Sequence, residues 1–266
     1  MIPRQNLHTH TNFDDGKNTP VEMAQAALDA GLESLGFSGH STVPYENDWT
    51  LQDIPAYLAA VKAAQARFEG RLTIYNGLEF DLTSRQELSG FDYIIGSIHH
   101  IDIGDDYPSI DDTAEIADDI LCDYFHCDKN AMLQAYFEQY DLLARHPAVD
   151  IVGHFDLITK FNRFDESSTF YRDCAMAALE TLVRADKIFE VNTGAMARGY
   201  RSVPYPAPFF LRELKAHRAR VLITSDAHST GAITYAFRGT AELLQSIGFT
   251  ELWEYAAGGF RPVRLG

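Results

Sequence analysis

Cysteine is scarce in this chain. Its 266 residues include three, Cys122, Cys127 and Cys174, an odd and scattered set that argues against a disulfide framework and for a reducing compartment. Cys122 and Cys127 flank His126, but their spacing is not that of a zinc ribbon. Long apolar runs are also missing, since none approaches the ~20 residues that a membrane helix needs. The amino terminus lacks a charged-then-apolar signal segment, so a cytoplasmic location without membrane attachment is expected. Positive charge is the third scarcity: 22 Lys and Arg stand against 38 Asp and Glu, for a net charge of −16. Such a chain repels nucleic acid and anionic membranes, which excludes both as general partners. A phosphate-bearing small molecule would have to be attracted locally, and bound cations are the obvious means. Repeats, low-complexity tracts and linkers are absent, so residues 1–266 read as one domain; the sequence fixes no oligomeric state.

Strand and helix signals are plentiful. Thr19-Pro20-Val21-Glu22 is a capping box with proline at the first helical position, starting a helix that runs to Gly31. Further helices are expected over residues 54–68, about 130–146, 168–185, 208–217 and about 232–247. Between them lie short apolar strands at 6–10, 34–38, 72–76, 92–98, 149–153, 187–191 and 220–224, and a short tail closes the chain. Residues 102–129 break the pattern with acidic and aromatic side chains, and read as an inserted loop or lid over one mouth of the fold. The alternation predicts an α/β fold, a seven-stranded TIM-like (β/α)7 barrel.

In such a barrel the chemistry collects at the carboxyl ends of the strands. Of ten histidines, His8, His10, His40, His99, His100, His154 and His228 fall at or just past predicted strand ends, on five strands. His8 and His10 share one side of an extended segment, because side chains alternate faces. By the same alternation His99 and His100 cannot both point into one site. With Asp15, Glu79 and Asp226 the set offers too many donors for one ion. Imidazole and carboxylate without convergent thiolate suit zinc, manganese or iron better than calcium or an iron–sulfur cluster. Lys160 and Arg198, past strands five and six, are the candidates for holding a phosphate, with Arg163 and Arg201 as weaker competitors. The insertion could supply a carboxylate or ring for a cationic part of the substrate.

His8-Thr9-His10, Asp15, Gly39-His40, Glu79, Gly96-Ser97-Ile98-His99, Gly153-His154 and Ser225-Asp226-Ala227-His228, in this order, resemble the polymerase and histidinol phosphatase family. The length, the insertion, the run from Gly153 to Ile158 and Asn192-Thr193 look like its stand-alone histidinol-phosphatase branch. The resemblance implies a distorted seven-stranded barrel holding three divalent ions. Carried over by position, the first would be held by His8, His10, Glu79 and Asp226, and the second by Glu79, His99 and His154. The third would take Asp15, His40 and His228. The family pattern thus favours His99 over His100. The activity implied is hydrolysis of L-histidinol phosphate, with Glu79, Asp226 and His228 around a hydroxide bridging the first two ions as nucleophile. Ser225 is then not needed for attack. Rival readings are a family phosphoesterase acting on nucleotides, a barrel amidohydrolase, for which the strand-four lysine is missing, and a non-enzymatic metal-binding protein.

Overall fold

Local signals at the helix starts are realised in the computed structural model, which describes residues 3–45 and 48–265. The Thr19 side chain caps helix α1 (Pro20–Asp29) by accepting from the Glu22 backbone, and Glu22 reaches back to the Thr19 N–H at 2.8 Å. Asp53 caps α2 (Ile54–Phe68), and Ser168 caps α6 (Thr169–Arg184). The expected 130–146 helix is two helices, α4 (Lys129–Glu138) and α5 (Tyr140–Arg145), broken at Gln139. The Gln139 side chain is drawn away to the backbone of His100 and Asp102. Short α7 (Gly194–Ala197) and α8 (Pro208–Ala216) follow. The last helix, α9, covers only Phe237–Ile247, because Ala236 has φ 56° and separates it from a 3₁₀ turn at Thr230–Ala232.

The strands are β1 (Gln5–Asn6), β2 (Ser34–Phe37), β3 (Thr73–Asp81), β4 (Tyr93–Ser97), β5 (Ile151–Val152), β6 (Ile188–Asn192) and β7 (Arg220–Thr224). Each pairs in parallel with the next in sequence order, as the alternation requires. The ring closes through an isolated parallel bridge between Thr9 and Ala227, with His10 N donating to Ala227 O at 3.0 Å. This nearly closed α/β barrel is the expected fold, with β3 longer than expected. Gly77 interrupts the apolar run without ending the strand. A side-chain carbon there, or at Gly36, would collide with the Tyr93 ring, which fills the barrel interior.

Two features depart further from expectation. The tail is a hairpin, β8 (Glu251–Ala256) and β9 (Gly259–Arg264). Its Trp253, Tyr255 and Phe260 pack on Leu7, Tyr93, Ile95, Ile151, Ile188 and Leu222, the apolar plug at the amino end of the barrel. Gln5 locks it there by exchanging hydrogen bonds with the Tyr255 backbone, at 2.7 and 2.9 Å. Cys122 and Cys127, expected to be unpaired, form a disulfide. Left-handed backbone at His126 and Cys127 doubles the chain back after helix α3 (Ala114–Asp123), which leaves the two Cα atoms 4.1 Å apart. No helix of the described residues is long and apolar enough to cross a membrane.

Candidate metal centre

Glu79, on β3 and 1% exposed, is the hub of the carboxyl-end rim. Its Oε2 lies 3.0 Å from His8 Nε2, 3.0 Å from His40 Nδ1 and 3.5 Å from His10 Nε2. Its Oε1 lies 2.9 Å from His154 Nε2 and 3.3 Å from His99 Nε2, and accepts from Ser97 Oγ at 2.7 Å. Imidazoles from four segments, separated by up to 146 positions, thus meet one carboxylate. Parallel strands ending at one rim make that possible.

Asp226 faces Glu79 across His8 and His10. Its Oδ1 lies 3.2 Å from His10 Nε2 and 3.7 Å from His8 Nε2. Its backbone is left-handed, φ 47°, which turns the carboxylate back over the rim. Asp15 completes the outer part, 2.9 Å from His228 Nε2 and 3.7 Å from His40 Nε2. Three sets of donor atoms lie close enough to share an ion: His10, Asp15, His40 and His228; His8, His10 and Asp226; His40, Glu79 and His99, all within 4.8 Å inside each set.

Whether these residues fit a cation is decided by the atoms left over. Among the described residues His8 Nε2, His10 Nε2 and Glu79 Oε2 are buried and, although the two nitrogens lie 3.0 and 3.5 Å from that oxygen, make no well-aligned hydrogen bond. Leaving such groups unsatisfied costs about 1–3 kcal/mol each, and a cation among them removes the cost at once. The opposite ring nitrogens are already held. Asp14 Oδ2 takes His10 Nδ1 at 2.7 Å, Glu190 Oε2 takes His8 Nδ1 at 2.8 Å, and Asp81 Oδ2 takes His99 Nδ1 at 3.2 Å. A carboxylate behind each imidazole fixes its tautomer and turns the other nitrogen inward, as at histidine-ligated metal sites.

Glu190 is the functional-site neighbour that sequence reading missed. Fully buried on β6, it also accepts from the His154 N–H, Asn192 Nδ2 and Thr224 Oγ1. Its one visible signal was a charge inside the otherwise apolar run of residues 188–191. His100 lies past the end of β4 beside His99, and its Nδ1 meets the same Asp81 oxygen at 3.1 Å. Of the two, it is His99 that reaches Glu79. His100 stacks on Trp49 instead, centroids 5.7 Å apart. Ser225 is buried in hydrogen bonds with Asn6 and Ile233 and does not face the cavity.

The rim opens into a cavity of about 600 Å³. Arg198 lines it, with Nη2 3.0 Å from Asp226 Oδ2 and Nη1 3.0 Å from His228 Nδ1. Lys160 lines it too, but is 7% exposed and bound to Asp111. Arg163 is turned to Asp118 and Arg201 to Glu166 and Asp156; neither reaches the cavity wall. Ser109, Asp111 and Asp112 of the insertion form one side of the mouth.

Electrostatics prepare the donors unequally. Burial disfavours charge on Glu79, yet His8, His40 and His99 around it hold its carboxyl well below the usual range. Asp226 is held low against its burial by Arg198, His8 and His10. Burial would lower His10, but Asp14, Asp226 and Asp15 outweigh it and push the imidazole up to about 10. His8 is raised in the same way by Glu79, Glu190 and Asp226. His40, where burial wins, falls to about 4. At pH 7 without a cation, His8 and His10 therefore carry protons, while His40 is neutral. Since only the neutral imidazole ligates, cation binding must expel those protons. Calorimetric titration of metal-free protein with Zn²⁺ or Mn²⁺ in buffers of differing ionisation enthalpy should show net proton release at pH 7. Affinity should weaken as pH falls, by about tenfold per pH unit for each proton expelled. Binding without proton release would show that His8 and His10 are not the ligands.

Comparison with known proteins gives the family and the fold. Residues 6–194 match the PHP domain. A protein named probable histidinol-phosphatase from Deinococcus radiodurans is 29% identical, covering 91% of this chain and 92% of that one. The histidinol-phosphatase of Bacillus subtilis is 24% identical over 91% of this chain and 99% of its own. A crystal structure of histidinol phosphate phosphatase from Lactococcus lactis, complexed with zinc, L-histidinol and phosphate, shares the fold. Its TM-score is 0.70, with 98% of this chain and 100% of that chain covered at 21% identity.

Proposed function

The chain belongs to the PHP domain family, and from that premise we propose that it is a metal-dependent phosphomonoesterase that hydrolyses L-histidinol phosphate to L-histidinol and phosphate. The observation that carries the reading is the meeting of five imidazoles on the Glu79 carboxylate, beside a cavity that also holds Arg198. The near full-length likeness to histidinol-phosphatases supports the substrate.

His8, His10, Glu79 and Asp226 would hold one divalent ion, Glu79, His99 and His154 a second, and Asp15, His40 and His228 a third, as zinc, manganese or iron. Such ions neutralise phosphoryl oxygens and lower the pKa of a bound water from 15.7 to about 7. The chain's own residues do the rest. Glu79, Asp226 and His228 carry the reacting centre. Asp14, Asp81 and Glu190 fix imidazole orientation from behind. Arg198, two of whose nitrogens are directed at the rim, receives the phosphoryl oxygens, and the insertion walls the substrate from bulk water. Lys160 is the second cation within reach of the phosphate.

The test is phosphate release from L-histidinol phosphate beside a nucleoside monophosphate, with and without chelator. Turnover of the first that chelator abolishes supports the reading. Preference for the nucleotide would replace it with the other branch of phosphoesterases. Arg198→Ala should raise KM for L-histidinol phosphate roughly tenfold or more, because hydrogen bonds to charged groups contribute about 1.5–3 kcal/mol. Its circular dichroism should be unchanged; an unaltered KM would take Arg198 out of the phosphate site.

A further inference from the structure

Of the carboxylates lining the cavity, Asp15, Glu79 and Asp226 belong to the proposed donor set, and Asp48 and Asp112 are exposed at the mouth. Asp111 is different. It comes from the insertion, yet its Oδ1 sits 2.7 Å from Lys160 Nζ, which also donates to the Asp111 carbonyl at 2.7 Å. Tyr200 backs the ammonium, its ring centroid 4.8 Å away. The carboxylate is thereby held in place, while its side chain remains 29% exposed. Its Oδ2 accepts no hydrogen bond from the described residues. It shares the cavity wall with His99 and Arg198.

A fixed negative charge beside the two cations meant for a phosphate is a poor arrangement for a purely anionic ester, which it repels. It suits an ester that brings its own cation close to the phosphate. L-Histidinol phosphate does so, with an ammonium on the carbon next to the phosphate-bearing carbon. Resting on the functional reading above, we propose that Asp111 is the specificity-determining residue that receives the substrate's ammonium through its open oxygen. Lys160 holds the carboxylate in position and shares the phosphate with Arg198. The cavity mouth is thus complementary to a zwitterion, and an ester without a neighbouring ammonium meets repulsion with nothing in return.

The measurement is the ratio of kcat/KM for L-histidinol phosphate to that for phenyl phosphate, with the metal-loaded full chain. Asp111→Asn should lower this ratio roughly 10–100-fold, as loss of a charge-assisted hydrogen bond does. Lys160→Met should raise KM for both esters and lower the ratio by no more than about threefold, because it removes a phosphate contact and loosens the carboxylate but leaves its negative charge in the cavity. A ratio unchanged in Asp111→Asn, or lowered equally in Lys160→Met, would reduce the pair to a latch for the insertion and overturn the proposal. So would a fall seen in Asp112→Asn instead. Should Asp111→Asn fail to fold, the unmodified enzyme still decides. L-Histidinol should inhibit phenyl phosphate hydrolysis at least about tenfold better than its analogue lacking the amino group, and equal inhibition would defeat the assignment. If the unmodified enzyme turns over phenyl phosphate but not L-histidinol phosphate, it is the functional reading that has failed.

Discussion

Glu79→Gln should lower kcat for L-histidinol phosphate roughly 10³-fold or more, with metal content falling in parallel. The carboxylate touches His8, His10, His40, His99 and His154 and is 1% exposed, so no neighbouring group can substitute for it. The amide keeps the shape but removes the negative charge on which two ions would depend. Electrostatic stabilisers at a reacting centre commonly cost about 10²–10³ in kcat when a single one is removed; a carboxylate shared by two ions, as proposed for Glu79, would exceed that range. Metal analysis of the purified variant beside its kinetics is the check. A Glu79→Gln enzyme with full metal content and a near-normal kcat would remove Glu79 from the centre.

A second large effect belongs to the opposite end of the barrel. Deleting residues 251–266 would expose the plug formed by Leu7, Tyr93 and Leu222, and would also remove Leu252 and Leu265, which are 5% and 7% exposed. A fully buried large apolar side chain contributes about 1.5–3 kcal/mol. Two such leucines and three partly covered aromatics add up to something on the order of 5 kcal/mol or more, comparable with the lower end of total domain stability, about 5–15 kcal/mol. Thermal melting of the metal-free truncated chain should come about 10–20 °C below that of the metal-free full chain. A shift under about 5 °C would mean that the barrel closes its own floor and the hairpin is only appended.

What could be read from the sequence was what local chemistry writes. The Thr19 capping box acts within a turn of itself, so it marked the start of its helix well. The donors were legible because parallel strands in sequence order must deliver their ends to one rim, which turns a one-dimensional series of histidines into a cluster. The rest depended on distant partners. Glu190 serves His8, 182 positions away, and nothing near it in the chain says so. Gly77 looked like a strand end because its reason, the Tyr93 ring, lies on another strand. Lys160 read as a free cation, and the Asp111 that occupies it is 49 positions earlier. The hairpin passed for a tail because its strands are half covered and carry no clean alternation. The disulfide needed two left-handed residues that spacing alone does not reveal.

The place where the ring closes has a meaning for mechanics as well as for topology. Six of its seams are strand ladders, whereas the last is a lone bridge at Thr9 and Ala227. His8 and His10 stand on one lip of that seam and Asp226 on the other. A cation gripped there would rivet the weakest joint of the cylinder, so the same bond that arms the enzyme would also hoop it shut.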